Sequence, residues 1–162
     1  MHAAPCTLNP EPEPEPGTRN PEPDLPMSKP PTRVSLRWNG DLAFVATARD
    51  HAIVVDGDSR TGLSPVELLG VSLATCMGTD VAHILARGRQ DLVGLDVELV
   101  ADRAPDDPHR FVAARLHFAV RGDVSQAHLD RAIALSREKY CSVWHTMRPD
   151  IPLEVTTVIT PA

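Results

Sequence analysis

Ser64-Pro65-Val66-Glu67 writes the start of a helix and constrains the rest of the chain. Serine at the N-cap and glutamate three residues later make a capping box. Proline sits at the first helical position, where its missing amide costs nothing. The helix is expected to run from Pro65 to about Arg87 and to stop at Gly88. Its apolar residues (Val66, Leu68, Leu69, Val71, Leu73, Met77, Val81, Ile84 and Leu85 among them) fall on nearly every side. A helix that is apolar all round must be enclosed. In so small a chain, that requires a sheet or a second subunit wrapped around it.

The flanking segments supply the sheets. RVSLRW (33–38), LAFVATA (42–48) and HAIVVD (51–56) are short runs separated by Asn39-Gly40-Asp41 and Arg49-Asp50. They read as an antiparallel meander. After the helix, VGLDVELVADR (93–103) and RFVAARLHFAVRG (110–122) alternate as a long hairpin. Residues 125–140 place Leu129, Ala132, Ile133, Ser136 and Tyr140 on one helical stripe. Cys141 opens a further short turn, and PLEVTTVIT is a last strand. The order β-β-β-α-β-β-α-α-β is an α+β fold.

Residues 1–31 hold ten of the sixteen prolines and a triple Glu-Pro repeat. With almost nothing apolar to bury, this tail is expected to be extended and disordered. Met27 is a natural start for the functional chain, and Cys6 in the tail is given no role. The folded domain is expected over 32–162. A net charge of −6 argues against a nucleic-acid surface. No apolar run is expected to reach the ~20 residues that span a bilayer. The N-terminus lacks the pattern of a secretory signal, so a cytoplasmic protein is expected, where disulfides are transient and chemical.

The candidate chemistry rests on Cys76 and Cys141. Cys76, inside the central helix, reads on position alone first as a small buried filler whose thiol burial would make inert. Asp80, one turn on, would share its face and oppose a thiolate. Cys141 follows Arg137 and Lys139 and opens a helical turn, both of which are expected to lower a thiol pKa. Glu67 is already explained by the capping box. It lies nine residues from Cys76, ~13.5 Å along a straight helix, so it serves the thiol only through an intermediary or at a partner chain's site. Zinc on Cys76, His83, Cys141 and His145 is the rival chemistry, but C-x6-H and C-x3-H are not zinc spacings. No metal or cofactor is therefore expected. There is no phosphate-binding glycine motif and no nucleophile elbow.

Ser64-Pro65-Val66-Glu67-Leu68-Leu69, then Cys76 and Asp80, then Glu138-Lys139-Tyr140-Cys141-Ser142-Val143 together resemble the OsmC/Ohr family, the osmotically inducible and organic hydroperoxide resistance proteins. The resemblance covers about residues 33–160. It implies a swapped homodimer with the central helices buried between sheets. It implies a thiol peroxidase in which Cys76 attacks an organic hydroperoxide, Cys141 resolves the sulfenic acid as a disulfide, and Glu67 belongs to the site. The family's reductant is a dithiol, often a lipoylated protein, and its apolar preference would place Leu73, Met77 and Trp144 along the substrate. Two positions depart from the family. Its arginine eleven positions before the glutamate is Asp56 here, and the proline often found after the second cysteine is Ser142. That missing arginine motivates a second reading, a binding or stress-associated protein without efficient turnover.

Overall fold

The capping box forms as its sequence requires. Ser64 Oγ accepts the Glu67 N–H, and the Glu67 carboxylate accepts the Ser64 N–H at 2.7 Å. From it α1 runs Pro65–Arg87. This is a computed structural model that describes residues 29–162; the expectations for the tail, including Cys6 and Met27, lie outside the described residues. Val34–Ala162 gathers into one compact unit. Ahead of α1 stand β1 (Ser35–Trp38), β2 (Ala43–Ala48) and β3 (His51–Asp56). Behind it come β4 (Asp91–Arg103), β5 (Phe111–Asp123), α2 (Gln126–Leu135), a π-helical turn (Ser136–Tyr140), α3 (Ser142–Thr146) and β6 (Leu153–Thr160).

Among the described residues the strands form two separate three-stranded sheets. β1-β2-β3 is the expected antiparallel meander, with Trp38 opposite Phe44 and Ala48 opposite His51. In the second sheet β4 and β5 pair antiparallel, and β6 joins β5 in parallel, Leu116 opposite Val155. Parallel neighbours need a crossover, and α2, the π turn and α3 provide it. The core lies between α1 and this second sheet. Leu73, Met77, Val81 and Leu85, one per helical turn, bury completely or nearly so against Leu116, Phe118 and Val120 of β5 and Leu129 and Ala132 of α2. Gly78 lets α1 approach β4, since a Cβ there would come 3.2 Å from Val97 Cγ2.

One expectation needs correction. α1 is long and apolar enough to cross a membrane by length and composition, against the expectation that no segment would be; its Leu73-to-Leu85 stripe packs on the second sheet instead. Of the two enclosures expected for α1, a sheet or a second subunit, the sheet covers only part of it, for Leu69 is 42% and Val71 48% exposed. The meander adds little cover, because its strands pack chiefly on one another. Leu36, Trp38, Leu42 and Ile53 are exposed there. Truncating the stripe at its centre, Met77→Ala, is expected to cost about 2–5 kcal/mol, measured as a lowered urea midpoint with an unchanged m-value.

Candidate functional site

Cys76 and Asp80 are one turn apart on α1, so they lie on one face. Both are half-buried. Cys141 reaches that face from the far end of the crossover. α2 does not continue to Tyr140 as its periodicity predicts. It gives way at Ser136 to a π turn closed by the Cys141 N–H donating to the Ser136 carbonyl at 2.8 Å. A wider turn rotates the next residues around the helix axis. Tyr140 is thrown out to 49% exposure, while Cys141 turns inward and is fully buried. The consequence is a cluster: Cys76 Sγ, Cys141 Sγ and an Asp80 carboxylate oxygen all lie within 4.8 Å of one another. Both cysteines are free thiols.

Ser136 completes the cluster. It is fully buried, and its hydroxyl donates to Asp80 Oδ2 at 2.8 Å. Helical periodicity places Ser136 on a buried stripe and assigns it no task. A signal for one is present in the sequence, since a hydroxyl on an apolar face needs a partner, or its burial is costly. Cys141 also caps α3, its sulfur accepting the Trp144 N–H at 3.3 Å.

The electrostatics reverse one expectation. Burial pushes the Cys141 thiol up to about 11. The Trp144 N–H opposes this, while the Cys76 thiol and the Asp80 carboxylate add to it. The cations expected to activate it do not reach it. Arg137 and Lys139 are exposed, and the Lys139 ammonium lies 5.4 Å from the Tyr140 ring centre. A side chain that comes after a helix in sequence need not share its neighbour's direction, and here the π turn separates them.

Glu67 is not with the thiols. It is exposed, and its carboxylate is occupied by the Ser64 N–H and hydroxyl and, at 2.9 Å, by the Ser59 hydroxyl; these bonds hold its pKa below the usual range. Among the described residues no ion pair joins it to an arginine, and Arg60 pairs with Asp58 at 3.1 Å. Asp56 has a structural task instead. Its carboxylate accepts the backbone N–H groups of Asp58, Arg60 and Thr61 and the Thr61 hydroxyl, pinning the loop into α1. His83 and His145, weighed with the cysteines as zinc ligands, are exposed and stand outside the cluster. Leu73 and Met77 are core residues with no exposed surface, so they do not line an open site. An apolar groove of about 470 Å³ lies further along, between Val66 and Leu69 of α1 and Val143 and Met147.

This is an α+β chain in which a central helix and the crossover bring two free thiols and a carboxylate together. Comparison with known proteins places the fold in a family. The family described as OsmC-like protein matches residues 56–156. Protein YhfA of Escherichia coli strain K12 is 40% identical over 111 residues, which span 67% of this chain and 83% of that protein. A hypothetical protein from Aquifex aeolicus superposes with a TM-score of 0.77 at 28% identity, covering 83% of this chain and 99% of that one. The organic hydroperoxide resistance protein OhrB of Bacillus subtilis shares the fold at a TM-score of 0.59 and 17% identity, over 79% of this chain and 98% of its own. The chain belongs to the OsmC-like protein family.

The two thiols should differ sharply in reactivity. With maleimide near neutral pH, Cys76 is expected to label at least about tenfold faster than Cys141. Cys141 labelling should climb as pH rises toward its raised pKa. Peptide mass spectrometry at timed intervals reads both.

Proposed function

We propose that the chain is a cysteine-based peroxidase that reduces organic hydroperoxides in oxidative-stress defence. The observation that carries this reading is the meeting of Cys76 and Cys141, distant in sequence, with their sulfurs within 4.8 Å. Cys76, the more accessible thiol, attacks the peroxide. An S–O bond forms, the O–O bond breaks, and an alcohol leaves, so that Cys76 becomes a sulfenic acid. The Cys141 sulfur then attacks Cys76, an S–S bond forms and water leaves. An external dithiol, a lipoylated protein in this reading, exchanges with the disulfide and restores both thiols. The order suits the environments, since the resolving thiol is kept neutral and shielded until an electrophilic sulfur appears beside it. The names of family relatives that resist organic hydroperoxides support the substrate class.

The working unit in this reading is a homodimer. α1 leaves Leu69 and Val71 uncovered, and the meander leaves Leu36, Trp38 and Leu42 uncovered. A second copy exchanging these elements would cover both sets. Glu67 enters the chemistry only in that arrangement, presented to the partner's thiol. The cytoplasm is the compartment proposed, because a reducing one keeps such a pair as thiols.

A second reading is favoured by one observation: among the described residues no arginine is paired with Glu67, and Asp56 stands where the family's arginine would. On that reading the chain binds an apolar ligand, with the groove of about 470 Å³ as its place, and turns over peroxide poorly. Steady-state consumption of cumene hydroperoxide with dihydrolipoamide separates the two. The peroxidase reading predicts that Cys76→Ser lowers the rate by about a hundredfold or more. Cys141→Ser should accumulate sulfenic and over-oxidised Cys76. A wild-type rate no faster than that of Cys76→Ser supports the binding reading. Sedimentation velocity at micromolar concentration is expected to show a dimer, and a stable monomer removes the exchanged arrangement.

A further inference from the structure

Cys76, Asp80 and Cys141 are three groups able to carry negative charge, gathered within 4.8 Å of one another. Asp80 accepts from the neutral Ser136 hydroxyl. Among the described residues the ion pairs are made by other carboxylates, and none by Asp80. We propose that Cys76, Asp80 and Cys141 form a binding site for one thiophilic divalent cation of the zinc class, open to it only while both cysteines are reduced.

The geometry is close to what such an ion needs. Three atoms whose separations are all at most 4.8 Å share a point within about 2.8 Å of each. Zinc sits about 2.3 Å from thiolate sulfur and about 2.0–2.2 Å from carboxylate oxygen. Contraction by about half an ångström or a little more per ligand therefore closes the site, within reach of small side-chain rotations. Two outer contacts already hold the ligands. The Ser136 hydroxyl orients the Asp80 carboxylate, and the Trp144 N–H points at the Cys141 sulfur. Such partners fix ligands in metal sites. Cys76 and Asp80 are half-buried, so a path for entry and a fourth position for water lie on their side. His83 and His145, the nitrogen ligands that the sequence offers at spacings foreign to zinc, stand outside the cluster; the fold supplies an oxygen from Asp80 instead.

The chemistry balances without any redox step. The ion displaces one proton from each thiol, two protons pass to water, and two thiolates and a carboxylate offset its charge. Binding itself is redox-neutral; a separate two-electron oxidation of the thiols to a disulfide by an external oxidant such as a hydroperoxide or diamide, which is itself reduced, removes both sulfur donors and releases the ion. Binding needs no peroxide turnover, so this inference stands apart from the peroxidase reading.

The test is zinc titration of the reduced, full-length, metal-free protein against a chromogenic chelator. Cobalt serves as a second probe, because thiolate ligation gives it a charge-transfer band. One zinc per chain with submicromolar Kd and a cobalt-thiolate band are expected. Asp80→Ala and the outer-contact variant Ser136→Ala should each weaken zinc by roughly tenfold or more. Cys6→Ser should bind as the wild type does. Should either cluster variant fail to fold, the wild type oxidised by diamide to a mapped Cys76–Cys141 disulfide serves instead and should give no cobalt-thiolate band. Absence of saturable zinc binding overturns the inference, as does binding that survives both Asp80→Ala and oxidation. Zinc binding in a protein that consumes no hydroperoxide keeps this inference and removes the peroxidase reading. The opposite pair of results does the reverse.

Discussion

The packing of Leu73, Met77, Val81 and Leu85 of α1 onto β5 sets the position of everything else in this protein. That stripe fixes the rotation of α1 about its own axis. Cys76 and Asp80 take their positions from the rotation, because each lies beside the stripe at the edge where the crossover passes. Had the helix been seated by another face, which its composition permits, the two residues would point elsewhere. The same seating leaves Leu69, one turn ahead of Leu73, and Val71, on another side of the helix, uncovered.

The second determinant is a local defect in a regular helix. The π turn at Ser136–Tyr140 sets one residue out of register and brings Cys141 under cover. Ser136 joins both halves of the site, its carbonyl taking the Cys141 N–H and its hydroxyl holding Asp80. Burial then sets the chemistry. It raises the Cys141 pKa above that of a free thiol and shields its sulfur from solvent. In the proposed peroxidase cycle such a thiol acts only once its neighbour is oxidised, and in the proposed metal site only once a cation arrives. Asp80 strengthens the restraint on Cys141, since a nearby carboxylate discourages its thiolate.

Much of this is legible in the sequence, and the reasons are specific. The capping box, the limits of α1 and the meander come from local chemistry, and each forms within a residue or two of expectation. The α+β order and the family come from motifs in sequence order. The features that are not legible depend on direction in space. The stripe spacing of Leu129, Ala132, Ile133, Ser136 and Tyr140 predicts one continuous helix, and nothing local announces the π turn. Without that turn, Arg137 and Lys139 read as neighbours of the Cys141 thiol; in the fold they face water. Helical spacing alone puts Asp80 on the face of Cys76. Its proximity to Cys141 requires the tertiary fold.

The central claim is that Cys76 and Cys141 work as one redox unit, and the product of a single oxidation tests it most directly. One equivalent of cumene hydroperoxide is added to the fully reduced protein, the remaining thiols are blocked, and the digest is mapped without reduction. The account predicts a peptide pair joined through Cys76 and Cys141, with a near-stoichiometric loss of both free thiols. Recovery of both cysteines as blocked free thiols, with the peroxide unconsumed, would contradict it.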